Sequence, residues 1–115
     1  MDKKVICLFD VDQTLTPARM DIQQNMIDCL DAVKAKGVHL GIVSGSDIVK
    51  VTEQVKQDLI EKSEYTFAEN GLYAMKNAKE FSKQSFKDHL GEKNLQRLIN
   101  FSLKYIADLD IPVKR

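Results

Sequence analysis

The chain has 115 residues, with 17 Lys+Arg against 17 Asp+Glu and a formal net charge of zero. That length allows one small domain with a modest core. The charge balance offers neither the basic surface that nucleic acid selects nor the polybasic patch that an anionic membrane selects. An anionic substrate would therefore depend on a few placed cations.

The N-terminus, Met1-Asp2-Lys3-Lys4, is followed by the apolar run Val5 to Phe9. Asp10 and Asp12 interrupt that run too early for a secretory signal, and no apolar stretch reaches bilayer length. The expected location is cytoplasmic. Cys7 and Cys29 fall in apolar patterns and read as buried, reduced thiols. Val5 to Phe9 reads as a central parallel strand covered on both faces. Ile22, Met26, Leu30 and Val33 make one helical face, which Gly37 stops behind Lys34 and Lys36. Val38 to Val43 is a second buried strand, ending in the turn residues Ser44-Gly45-Ser46-Asp47. Ile48, Val51, Val55 and Leu59 form the next helical face. Tyr65 to Ala68 is a third strand, closed by Glu69-Asn70-Gly71.

The order strand, helix, strand, helix, strand implies right-handed crossovers and a parallel sheet. Polar loops follow all three strands at the carboxyl ends, where open α/β sheets bind ligands. After Gly71, Leu72 to Met75 and Glu80 to Ser82 flank Lys76-Asn77-Ala78-Lys79 as a hairpin. A long helix then runs from about Ser85 or Gly91 to Asp108, with Leu95, Leu98, Ile99, Leu103 and Ile106 as its apolar positions. Three parallel strands leave edges and faces open, and the last helix lacks an evident partner. The chain is expected to be the front part of a larger protein.

The chemistry concentrates at Asp10-Val11-Asp12-Gln13-Thr14-Leu15-Thr16. Two carboxylates two residues apart at a strand end repel unless a cation intervenes. Magnesium, which takes one or two carboxylates together with a phosphate, suits them. One carboxylate can attack phosphorus, and the other can serve as acid and base. Thr14 offers a hydroxyl and backbone N–H groups to a phosphate. A lone pair of aspartates would more simply end a strand and cap a turn. The full motif behind an apolar strand favours chemistry. His39 reads as a satisfied core histidine and His89 as a cap or surface residue. Asn70 and Gly71 read as turn residues, with Asn70 a candidate neighbour of the site.

The motif resembles the first motif, DxDGTLT, of the haloacid dehalogenase superfamily. The wider chain resembles its eukaryotic-type phosphomannomutases, through Leu8 to Asp12, Thr14 to Thr16 with Arg19, Gly45-Ser46-Asp47, Glu69 to Leu72, His89 to Glu92, Tyr105 to Ala107 and Pro112 to Arg115. The resemblance implies an α/β fold: a Rossmannoid parallel sheet with helices on both faces, present here as a first half. It places a partial core domain at residues 1–82 and the start of an α+β cap domain at 83–115.

By the same resemblance, Asp10 is the nucleophile and a magnesium ligand. Asp12 is the general acid/base, with its backbone carbonyl on the metal. Arg19 contacts the sugar phosphate, as a guanidinium suits bidentate binding. Ser46 matches the serine that holds the transferring phosphate and is also a candidate N-cap, with Ser44 as the alternative phosphate-binding serine. Asp47 is structural. The implied activity interconverts mannose 6-phosphate and mannose 1-phosphate for GDP-mannose synthesis, with a hexose 1,6-bisphosphate as activator and a homodimer formed through caps. Gln13 replaces the motif's glycine, which incurs strain if the position has positive φ. The lysine, the further acidic ligands and the sugar-reading cap arginines of the family are absent, so reduced or no activity is expected of this chain. Two other readings stay open: a sugar phosphatase of the same superfamily, and a non-catalytic fragment or interaction module.

Overall fold

The computed structural model describes residues 3–114. Met1, Asp2 and Arg115, at the two ends of the segments read above, lie outside the described residues. The chain forms two compact units, Met1–Lys83 and Gln84–Arg115.

The first unit is built on one mixed sheet of order β1-β2-β3-β4-β5. Strands β1 (Ile6–Asp10), β2 (His39–Val43) and β3 (Tyr65–Ala68) are parallel, as their apolar runs and helical crossovers imply. Strands β4 (Tyr73–Lys76) and β5 (Lys79–Lys83) form the expected hairpin. It adds to β3 antiparallel and extends the sheet on that side. Asn77 and Ala78 turn it with φ of 49° and 60°, the two positive values of a type I′ turn.

Three helices lie in the crossovers: α1 (Gln24–Ala35), α2 (Ile48–Val55) and α3 (Gln57–Lys62). Both crossovers step in the same direction along the sheet, so right-handed turns put all three on one face. Cover on both faces was expected; within this unit it is found on one. Register places Leu40, Ile42, Thr66 and Ala68 on that face. The apolar ones pack with Leu30, Val51, Val55, Leu59 and Ile60. The α1 and α3 surfaces are joined by Lys62 Nζ to Asp31 at 2.8 Å and by Lys34 Nζ donating to Lys62 O at 2.8 Å, pairs of small energetic weight.

The opposite face carries Tyr65 stacked on Phe67, with Phe81 edge-on to Tyr65 and the Lys76 ammonium over its ring. Leu8 also lies there, seated over Gly41, where a Cβ would collide with Leu8 Cδ2. The expectation that the first strand is central is corrected. Among the described residues β1 is an edge strand, with Ile6 and Leu8 41% and 55% exposed. An apolar run reports a capacity for burial, while burial itself needs neighbours. The cysteine reading is also corrected: Cys7 is half-buried, but Cys29 is exposed. Cys29 sits one position off the Met26–Leu30–Val33 stripe of α1. His39 is half-buried and its Nδ1 lies 2.6 Å from Glu64, so its polar group is satisfied beside the core.

The helical face expected from Ile48 to Leu59 is broken at Lys56, which adopts φ 69°, ψ 153°. That region is essentially restricted to glycine. The break lets Val55, Leu59 and Ile60 all reach the core, while Lys56 Nζ pairs with Asp21 and donates to Glu53 O. Lys56→Gly should relieve strain of about 1–3 kcal/mol, against losing a surface ion pair and ordering a glycine. A net gain of about 1 kcal/mol would raise Tm by about 4–8 °C; an unchanged or lower Tm in a thermal melt would contradict this.

The second unit holds α4 (Phe86–Leu90) and α5 (Glu92–Ala107). Of the two starts expected for the long helix, Ser85 and Gly91, the second is the observed one. Gly91, at φ 79°, ψ 151°, precedes α5 and separates it from the short α4. Ser85 Oγ caps α4 by accepting from Asp88 N–H at 3.3 Å. His89 is exposed in its last turn. Leu98, Ile99, Leu103 and Ile106 of α5 are all exposed, and Phe101 stacks on Tyr105.

Candidate active site

Asp10 is the last residue of β1 and pairs in register with Val43, the last of β2. The carboxyl ends of three parallel strands therefore converge. A cavity of about 320 Å³ there is lined by Asp10, Ser44, Gly45, Phe67 and Asn70, among others. This is where an open α/β sheet presents its ligand site. Ser44 is held by the main chain on both sides: its N–H donates to Phe67 O at 2.9 Å, and its carbonyl accepts from Asn70 N–H at 3.0 Å. Asn70 has φ 55° and brings its side-chain oxygen close to Gly45, within 3.2 Å of where a Cβ would stand. Asn70, read as a turn residue and a candidate neighbour, does line the Asp10 cavity.

The loop after β1 folds back on itself. The Val11 carbonyl accepts from the N–H groups of Thr14, Leu15 and Thr16 at 3.2, 2.9 and 3.0 Å, and Gln13 N–H donates to Thr16 O at 2.7 Å. Val11, Leu15 and Thr16 are buried, and this burial leaves Asp12, Gln13 and Thr14 exposed. The Thr14 N–H is thus committed to the loop, which leaves its hydroxyl as the group able to meet a phosphate. Thr14 lines a separate cavity with Thr16, Pro17 and Met26.

Gln13 has φ 61°, the left-handed value that its glycine-like position suggested. Gln13→Gly should therefore stabilise the chain by about 0.5–1 kcal/mol, the left-handed penalty less the entropy of a glycine. A urea midpoint that does not rise would contradict it.

Asp12 faces a second cavity, of about 570 Å³, with Arg19, Ser46, Lys50, Glu53 and Gln54. Its Oδ1 accepts from Gln54 Nε2 at 2.7 Å and from the Arg19 main-chain N–H at 3.0 Å. The Gln54 amide first, then the Arg19 N–H, hold the Asp12 carboxyl below the usual carboxylate range, because both stabilise the charged form. Arg19 itself has φ 58°. Arg19 and Lys50 bring two cations to this cavity, beside the carboxylates of Asp12 and Glu53.

The six residues singled out from the sequence therefore divide among three cavities. Asp10 and Ser44 share one, Asp12, Arg19 and Ser46 share another, and Thr14 lines the third. The cap role suggested for Ser46 belongs to Asp47, whose Oδ1 accepts from Lys50 N–H at 2.9 Å. The Ser46 N–H instead donates to Ser44 Oγ at 3.1 Å. Lys50 and Gln54 escaped the sequence reading. They lie one turn apart on α2, and nothing local marks them. Gln54 meets Asp12 across 42 residues of chain.

Asp10 and Asp12 provide hard oxygen donors of the kind magnesium prefers. Among the described residues no group of three His, Cys, Asp or Glu side chains converges as a metal cluster. No helix among the described residues is long and apolar enough to cross a membrane.

Comparison with known proteins gives the family of the chain. The profile of the eukaryotic phosphomannomutases matches residues 26–115. A phosphomannomutase of Dendrobium officinale is 51% identical over 111 residues, covering 96% of this chain and 44% of that protein. Phosphomannomutase 1 of Dictyostelium discoideum is 51% identical over 110 residues, with the same shares. The chain thus spans less than half the length of these curated relatives. Among solved structures, a haloacid dehalogenase-like hydrolase from B. subtilis matches 87% of this chain and 34% of its own, with a TM-score of 0.66 at 15% identity. That likeness shows the fold. The chain belongs to the eukaryotic phosphomannomutase family.

Proposed function

We propose that this chain carries the aspartate-nucleophile part of a phosphomannomutase active site. The observation that carries the reading is the family match combined with Asp10 at the convergence of three strand ends. In the proposed reaction an Asp10 oxygen attacks a phosphorus of a hexose 1,6-bisphosphate. The bond from phosphorus to the sugar oxygen breaks, and that oxygen takes a proton from Asp12. In the return step a sugar hydroxyl gives its proton to Asp12 and attacks the aspartyl phosphate, which frees the Asp10 carboxylate. Exchange of the two positions interconverts mannose 1-phosphate and mannose 6-phosphate, the supply for GDP-mannose.

The Gln54 and Arg19 hydrogen bonds favour the charged form of Asp12, which suits the base role of the return step. For the first transfer Asp12 takes up a proton from solvent and then hands it to the departing sugar oxygen. Arg19, Thr14, Ser46 and Ser44 are assigned to the phosphate groups, with Arg19 on the non-transferring one. A magnesium ion bound by Asp10 and by the Asp12 carbonyl would neutralise charge on the transferring phosphoryl group. Its remaining ligands would be phosphate oxygens, water and groups supplied from outside these 115 residues. Residues 84–115 are assigned to the opening of a cap that would exclude water from the aspartyl phosphate and, when complete, pair two copies. The expected setting is the cytosol.

The test is an assay of the purified chain with mannose 1-phosphate, hexose 1,6-bisphosphate and magnesium. The expected result is mannose 6-phosphate formed far more slowly than by a full-length relative. Inorganic phosphate released without isomer would favour the sugar phosphatase reading instead.

A further inference from the structure

We propose that Gln54 is a positioning residue which, with the Arg19 main-chain amide, orients the Asp12 carboxylate so that Oδ2 alone carries the proton. The inference rests on the phosphoryl-transfer reading above and names a residue and an atom that the reading does not require. Asp12 is exposed, so packing does not fix its rotamer. Hydrogen bonds must do so. Oδ1 accepts two, from Gln54 Nε2 at 2.7 Å and from Arg19 N–H at 3.0 Å. A carboxylate oxygen has about two lone-pair sites, so Oδ1 is saturated and Oδ2 is left for a substrate hydroxyl.

Gln54 is placed for this from several directions. Its side-chain nitrogen also reaches Met20 O at 3.4 Å, and its main-chain carbonyl accepts from Ile22 N–H at 2.8 Å. One α2 residue thus ties down both Asp12 and the far end of the loop that Asp12 opens. The left-handed φ of Arg19 is a strained setting of the kind that persists where surroundings over-determine it, and here it aims the Arg19 N–H at Asp12. An amide has no proton to give near neutral pH, so Gln54 orients and does not itself transfer. The proton moves from the attacking hydroxyl to Oδ2, and in the opposite half-reaction from Oδ2 to the departing sugar oxygen.

The test uses Gln54→Met, which keeps side-chain length without donors, and Gln54→Ala as a second variant. Both retain the main-chain bond to Ile22, so a purely structural role for residue 54 would leave Asp12 ordered. Three-bond NMR couplings of the free wild-type chain should report one Asp12 χ1 rotamer and a protected Arg19 amide. In the variants the couplings should average, and Arg19 amide exchange should accelerate by on the order of tenfold. Averaged couplings already in the wild type, or unchanged couplings and exchange in a folded variant, overturn the proposal. Where the wild-type chain turns over, Gln54→Met should lower kcat by about 10–100-fold with KM within about twofold; an unchanged kcat also overturns it. A wild-type chain with no turnover bears on the slow turnover expected of the isolated chain and not on the positioning role, which the couplings and amide exchange then decide alone.

Discussion

Asp10→Asn should abolish phosphoryl acceptance, lowering any turnover of the chain by on the order of 10³-fold or more. Loss of a nucleophile removes the covalent route altogether, and what remains is binding and positioning. The substitution is close to isosteric. It falls at an exposed strand end, where its effect on stability should stay within about 0.5 kcal/mol. Activity and folding are therefore separable in the same sample. A circular dichroism melt should match the parent while formation of mannose 6-phosphate from mannose 1-phosphate falls to background. Retained turnover would move the nucleophile elsewhere, and a collapsed melt would mean that the residue serves the fold.

The largest expected loss of stability lies at Ile42. It is the fourth residue of β2, is 2% exposed, and pairs with Phe9 on one side and Thr66 on the other. The helical cover above it comes from Val51, Val55, Leu59 and Ile60. Truncation to Ala leaves a cavity that this sheet and three short helices cannot easily close. Ile42→Ala should cost about 2–5 kcal/mol, a large part of the roughly 5–15 kcal/mol that holds a small domain folded. The urea midpoint should fall with little change in slope. Val49→Ala, at a position 65% exposed on α2, should shift stability by no more than about 0.5 kcal/mol. Equal effects at the two sites would contradict the one-faced core.

Local signals explain what was legible in the sequence. The runs Val5 to Phe9 and Val38 to Val43 mark strands because several β-formers end in turn residues. Asn77 between two short apolar segments marks the hairpin. The edge position of β1 was not legible, because an apolar run does not say whether another strand lies beside it. The break at Lys56 carries no sequence mark, since lysine is an ordinary helix residue and only its dihedral angles reveal the strain. Cys29 misled because a cysteine next to a buried leucine looks apolar, although one step along a helix turns a side chain by about 100°.

The candidate site divides the same way. Asp10, Asp12 and the strained Gln13 are contiguous and were readable as chemistry. The convergence of Ser44 and Asn70 on Asp10 followed from the rule that strand carboxyl ends gather ligands. That Asp12 and Arg19 line a cavity with Lys50 and Gln54 was not readable, because it depends on how the loop after β1 folds around the Val11 carbonyl and meets α2. Gln54 was invisible for the most basic reason: its partner lies 42 residues away.

The most direct test of the central claim is peptide mapping by mass spectrometry after the chain meets hexose 1,6-bisphosphate and magnesium. The predicted result is a hydroxylamine-sensitive phosphoryl group on Asp10, absent in Asp10→Asn. A phosphoryl group on a serine, or on Asp12, or its persistence in Asp10→Asn, would contradict the assignment of Asp10 as the nucleophile.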